Sequence, residues 1–274
     1  MPKHPETIFD DTDSGPTTDE GAKPAASTGE QPRRGGDRSR LLDWTPFLLV
    51  RAAHPRQALL TAVGLGVAAA LAGRPARELA LVVVTVLVGQ TILGWHNDLV
   101  DEEVDRAHAR TGKPIADGRL DSGTVWFVLC CGVLLVVPLA VSNGVAAGLA
   151  YLGSVVVGML GNVLLRKNVL SFLPWVIAFG LYAYFLSYGG WGGGSHGGPP
   201  EIAMVVLAAL LGVGVHVLVA LWGLVADNED GWSYLPLKLG LRLGATKLLV
   251  ITIVYLTIVV AALLYTGSRI GLVR

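Results

Sequence analysis

Leu79-Ala-Leu-Val-Val-Val-Thr-Val-Leu-Val-Gly-Gln-Thr-Ile-Leu-Gly-Trp-His96 holds no Asp, Glu, Lys or Arg, and Asn97-Asp-Leu-Val-Asp-Glu-Glu-Val-Asp105 follows it at once. A helix over 79–96 rises about 27 Å, close to the roughly 30 Å of hydrocarbon in a bilayer. Six more stretches lack charge in the same way: 57–73, 123–142, 144–165, 169–188, 202–226 and 248–266. The whole chain is 52% hydrophobic and 15% charged, where a soluble domain carries roughly 25% charged residues. A soluble fold of this size needs charged outer faces that these stretches do not offer. Lipid supplies no hydrogen bonds, so each stretch must satisfy its own backbone as a helix. The expected fold is all-α, a polytopic transmembrane helical bundle of about seven spans over 41–274.

Residues 1–40 read differently. They are rich in Pro, Gly, Thr, Ser and Asp, with no apolar run. Such a composition buries too little surface to offset ordering entropy, and it predicts a disordered tail with no signal-peptide core. Leu41, Leu42, Trp44, Phe47 and Leu48 then lie among basic residues and suggest an interfacial helix, with Pro46 against it.

Orientation follows from the loops. Arg106, Arg110, Lys113 and Arg119 lie in 97–122, Arg166 and Lys167 in 166–168, and Lys238, Arg242 and Lys247 in 227–247. These three loops share a side with the N-terminal tail; the opposite side has Arg74, Arg77, Arg269 and Arg274. The positive-inside rule predicts a multi-pass protein of the cytoplasmic membrane, with the N-terminus and the basic loops in the cytoplasm.

Candidate chemistry sits at two helix ends on that side. Asn97, Asp101 and Asp105 are spaced by four, so a continuing helix stacks them on one face, with Asp98 and Glu102 a little way round. Stacked carboxylates repel, and a divalent cation removes that cost. Oxygen donors without Cys or His favour Mg²⁺, which shares its coordination with phosphate and water; a solvated acidic cap is the plain alternative. Leu224-Val-Ala-Asp-Asn-Glu-Asp-Gly231 repeats the arrangement with Asp227, Glu229 and Asp230. Two acidic helix ends facing one compartment among Lys and Arg describe a diphosphate site.

Other features are quieter. Adjacent Cys130 and Cys131 read as packing residues. Gly-rich 189–198 lacks the Lys and Ser/Thr of a phosphate loop and reads as a connection. His96 and His216 read as hydrogen-bonded interior residues.

Asn97 to Asp105 resembles N-D-x-x-D-x-x-x-D, the first signature of the UbiA superfamily of intramembrane prenyltransferases. Arg110-Thr-Gly-Lys-Pro-Ile-Ala-Asp-Gly118 is similar to the loop that follows it there, Arg166-Lys167 to a basic pair after the fourth helix, and Asp227 to Gly240 to the second signature with its L-P-x-x-L-G. The resemblance covers about 45–266. Two features differ: the second signature usually has aspartates at positions matching 223 and 227, and position 223 is glycine; the family usually has nine helices, and one span follows the second motif here.

The resemblance implies a membrane prenyltransferase that moves a polyprenyl group from its diphosphate to an aromatic or other lipophilic acceptor with Mg²⁺. Asn97, Asp98, Asp101, Asp105, Asp227 and Asp230 would be its catalytic residues, with Asn97, Asp101, Asp227 and Asp230 on the metal. Arg110, Lys113, Arg166 and Lys167 would bind the diphosphate; Trp95, Tyr182 or Tyr184 could face an allylic cation, although packing or interfacial anchoring is the favoured reading of these rings. The expected partners are the polyprenyl diphosphate, the acceptor and the bilayer, with no nucleic acid. A transferase of the same fold using a polyprenyl phosphate stays open, as does a non-catalytic or truncated member. Uncharged spans count against a transporter.

Overall fold

The computed structural model describes residues 43–108, 110, 112–189 and 197–269. The expected tail 1–40 and most of the Gly-rich connection lie outside the described residues. Eleven α-helices occur among the described residues: α1 Thr45–Ala52, α2 Pro55–Leu71, α3 Ala76–Val100, α4 Glu102–Ala107, α5 Ser122–Ser142, α6 Val145–Leu160, α7 Leu173–Tyr188, α8 Ile202–Ala220, α9 Leu224–Glu229, α10 Leu235–Leu243 and α11 Ala245–Arg269.

Six segments are long and apolar enough to cross a membrane: Ala76–Val100, Ser122–Ser142, Val145–Leu165, Val169–Tyr188, Ile202–Ala220 and Ala245–Arg269. The seventh expected span, α2, is a shorter apolar helix of 17 residues, about 25 Å long and slightly less than a hydrocarbon core. A second expectation is corrected at the sixth span. The apolar run 202–226 is not one helix: α8 stops at Ala220, a turn covers 221–223, and α9 begins afresh at Leu224. Hydropathy could not reveal the break, because both sides of it are apolar. A third correction concerns Pro46, which sits in the first turn of α1, where its missing N–H breaks no helical hydrogen bond.

Helices consecutive in sequence pack as neighbours, and contacts of α3 with α6 and α2 with α7 close the bundle. Small residues let backbones approach where lipid gives no hydrophobic push between helices. A Cβ on Gly148 would lie 2.8 Å from the Ala140 carbonyl, so α6 rests directly on α5. Tyr151 and Phe185, both fully buried with ring centroids 5.0 Å apart, fill the centre with Val82, Val86 and Val136. At the end remote from the motifs, Asn143 donates to Thr85 Oγ1 at 3.0 Å and locks α5 to α3.

Candidate active site

Both acidic motifs lie at the basic end of the bundle. The stack expected from a continuing helix survives a break in it. α3 ends at Val100, Asp101 (φ −91°, ψ −4°) is its cap, and α4 restarts at Glu102. Backbone bonds from Asp101 N to Asn97 O (3.0 Å) and Asp105 N to Asp101 O (2.8 Å) preserve the one-turn spacing. Asp98, Asp101 and Asp105 are all buried.

The next loop is held by its own apolar residues. Ile115 and Leu120 are buried against Leu48 and Val125, and Gly112 (φ +90°) makes the turn before Lys113 that L side chains resist. Lys113 Nζ thereby reaches Asp98 Oδ1 at 2.5 Å and Asp105 Oδ2 at 3.5 Å. His54 Nε2 is 2.7 Å from the same Asp98 oxygen. Arg110 joins the two motifs: its guanidinium lies 3.1 Å from Asp105, 3.9 Å from Asp227 and 3.7 Å from Asp230. Arg166 pairs with Asp101, while Asn97 Nδ2 donates to Asp101 Oδ2 at 3.3 Å.

The second motif is closed on itself. Gly231 (φ +70°) reverses the chain after α9, Trp232 N donates to Asp227 O at 3.0 Å, and Tyr234 returns to donate its hydroxyl to Asp227 Oδ2 at 2.5 Å. His108 Nε2 is 2.6 Å from Asp230 Oδ1, a second link between the motifs. Lys167 is placed apart from the carboxylates. Its ammonium lies 5.4 Å over the Trp232 ring, beside Arg166 at 4.9 Å.

Burial pushes the Asp105 carboxyl above its ordinary value, with Asp101 adding to the rise against Lys113 and Arg110. Burial also raises Asp227, although its hydrogen bond from Tyr234 and the charge of Arg110 oppose the rise. The Tyr234 hydroxyl is pushed well up by burial and by Asp227, so it stays a donor. Asp101 Oδ1, Asp230 Oδ2 and Arg110 Nη2 are buried without a hydrogen-bond partner among the described residues. Each nevertheless faces an opposite charge: Asp101 Oδ1 pairs with Arg166, and Asp230 Oδ2 lies 3.7 Å from Arg110 Nη2. Carboxylates paired with guanidinium groups in this way are suited to exchange those partners for a cation and the anion it carries. Among the described residues, no group of three or more His, Cys, Asp or Glu converges to hold a metal unaided. A metal here must complete its shell with substrate oxygens and water, as Mg²⁺ does.

Behind the site is a cavity of about 310 Å³ among α2, α3, α6, α7 and α8, lined by Asn97 and Arg166 at the site and by Gln90, Trp175, Phe179, Tyr182 and His216. Of the aromatic residues read from the sequence, Tyr182 lines it. Trp95 instead donates to Leu49 O at 2.9 Å, and Tyr184 stacks on Tyr188. The sequence reading did not single out Trp175, Phe179, His54, His108 or Tyr234. Only the His-Pro pair before the first apolar run was a local signal for any of them.

The UbiA prenyltransferase family profile matches residues 58–273, most of the chain. The protein therefore belongs to the UbiA prenyltransferase family, a class of membrane proteins to which its apolar helices are suited. Its fold is that of a UbiA homolog from Archaeoglobus fulgidus, solved bound to GPP and Mg²⁺ (20% identity, 77% of each chain covered, TM-score 0.60). The same homolog solved with DMAPP and Mg²⁺ superposes with a TM-score of 0.61 at 18% identity, covering 79% of this chain and 76% of that one. Its Cd²⁺-bound structure also gives 0.61 at 18% identity, covering 82% and 81%. No curated protein matches the chain.

Proposed function

We propose that this protein transfers a prenyl group from a prenyl diphosphate to a lipophilic acceptor, with Mg²⁺ as cofactor. The observation that carries the proposal is Arg110 joining both acidic motifs, beside Arg166 at the mouth of a cavity inside the bundle. Family membership supports the reaction type, and the neighbour's GPP, DMAPP and Mg²⁺ support the donor and metal.

Asp98, Asp101, Asp105, Asp227 and Asp230 face three permanent cations, Arg110, Lys113 and Arg166. The side chains alone are thus net negative and would repel a diphosphate. Asn97, Asp101, Asp227 and Asp230 would hold Mg²⁺, which when bound neutralises diphosphate charge and makes it a better leaving group. Arg110, Lys113 and Arg166 bind the diphosphate oxygens, with Lys167 at the rim. Asp98 and Asp105 hold Lys113 and Arg110 in place. The allylic C–O bond breaks with its electron pair leaving on the diphosphate. The prenyl carbon then sits in the cavity, where the rings of Trp175, Phe179 and Tyr182 stabilise positive charge.

The test is diphosphate release and prenyl transfer by the purified protein with geranyl diphosphate. Release is expected with Mg²⁺ and is expected to fall to background on chelation. Absence of Mg²⁺-dependent release with every prenyl diphosphate tried overturns the proposal.

The excess of Lys and Arg at the site end supports a cytoplasmic active site in the cell membrane. With Cys130 and Cys131 replaced by Ala, a cysteine introduced by Ser122→Cys is expected to react with an impermeant maleimide only after permeabilisation. Labelling in intact cells would reverse the orientation.

A further inference from the structure

His54 is the one non-glycine residue with positive φ among the described residues (φ 51°, ψ 57°). Such a conformation is unfavourable for a side-chain-bearing residue and persists where the surroundings impose it. Glycine would make the same corner between α1 and α2 without that cost.

The surroundings here are specific. A Cβ on Gly94 would lie 2.4 Å from the Ala53 carbonyl, so α3 is cut away to admit the corner. One turn further along α3, buried Asp98 takes His54 Nε2 at 2.7 Å. Trp95 Nε1 holds Leu49 O at 2.9 Å and fixes α1 against the same helix. Lys113 already pairs with Asp98, so closing that carboxylate does not require an imidazole. His54 also lines the cavity that Asn97 and Arg166 line.

We infer that His54 is a further catalytic residue, the general base that takes the acceptor's proton, with Asp98 as its positioning residue. The inference rests on the proposed prenyl transfer. A carboxylate only accepts, so Nε2 carries the proton in the neutral ring and Nδ1 keeps its lone pair. Nδ1 has no hydrogen bond among the described residues. A diphosphate at Arg166 and Asn97 brings its allylic carbon into the cavity that His54 borders. The C–O bond breaks with its pair going to the diphosphate. The acceptor's oxygen or ring carbon supplies the pair that bonds to the allylic carbon. The proton lost from that O–H or C–H moves to Nδ1, and Asp98 faces the resulting imidazolium. The ring is 35% exposed, so the proton can pass on to solvent. This chemistry selects acceptors that carry a removable proton, such as phenols and alcohols.

The test uses the full-length protein with geranyl diphosphate and Mg²⁺, and a panel of phenols, naphthols and isoprenoid alcohols. His54→Gly and His54→Asn both tolerate positive φ, so the corner remains foldable. Both are expected to lose transfer by about 100-fold or more, the usual scale for a general base. The ratio of transfer to acceptor-free diphosphate release, which ends in capture by water, is expected to fall by about 100-fold or more. Added imidazole is expected to restore transfer to His54→Gly but not to His54→Asn, whose side chain fills the space. Equal loss of release and transfer, or no rescue, overturns the role of His54. So does a wild type that releases diphosphate but prenylates no proton-bearing acceptor. A wild type that releases no diphosphate with any prenyl donor overturns the transferase reading itself, and the two failures are thereby distinct.

Discussion

Asp101→Asn is expected to lower kcat/KM for prenyl transfer by about 10²- to 10³-fold, the loss typical when one preorganised electrostatic contact to the reacting charge is removed. Asp101 is where the first motif meets the rest of the site: Asn97 donates to one oxygen, and the other faces Arg166 without a hydrogen bond of its own. Asn preserves the shape and removes the charge. Arg166 keeps the Trp232 ring at 4.9 Å, so the helix ends stay packed. A thermal melt in detergent separates loss of fold from loss of chemistry. If a well-folded Asp101→Asn protein keeps near-parental turnover, the first motif is a solvated acidic cap.

The second large effect concerns the glycine that stands where the family carries an aspartate. Asp230→Asn is expected to impair turnover about as severely as Asp227→Asn, with a raised Mg²⁺ requirement. Asp227 and Asp230 flank one guanidinium, at 3.9 and 3.7 Å from Arg110, and Asp230 Oδ2 is buried without a hydrogen bond. A Cβ at Gly223 would lie 2.9 Å from Asp227 Oδ2, too close to fit without a shift of that carboxylate, so an aspartate there displaces Asp227 and sets a second oxygen donor beside it. Gly223→Asp is therefore expected to rescue part of the activity of Asp230→Asn by restoring an oxygen donor. Mg²⁺ titrations of the three variants decide it, and an Asp230→Asn enzyme that titrates like the parent shows that Asp230 is no ligand. His108→Ala is the control. It removes the 2.6 Å partner of Asp230 without removing an oxygen donor, so an equal loss in both variants would assign Asp230 a fastening role instead.

The spacing of the first motif was legible because helical geometry is local. Asn97, Asp101 and Asp105 recur every four residues, and even a break at Asp101 leaves the backbone bonds that hold that spacing. The second motif was harder to place. Its position depends on the turn over 221–223 and on Gly231, and neither interrupts the apolar or acidic pattern. The resemblance of its loop made Arg110 a proposed diphosphate ligand, but its reach to Asp227 and Asp230 was not legible, because nothing in the residues near it encodes how α9 is placed.

By itself the sequence determined the membrane class, most of the helices long and apolar enough to span, and the end of the bundle that carries the acidic and basic side chains. Each of these depends on composition or on spacing within one helix, which solvent and backbone geometry settle locally. Only the tertiary structure decided which side chains meet. The His54–Asp98 pair joins residues 44 apart in the chain, Lys167 lies on Trp232 rather than on a carboxylate, and the cavity takes its wall from five different helices. Those contacts follow from how helices cross and where small residues let them approach, and in lipid that is set by packing between segments, which no single segment records.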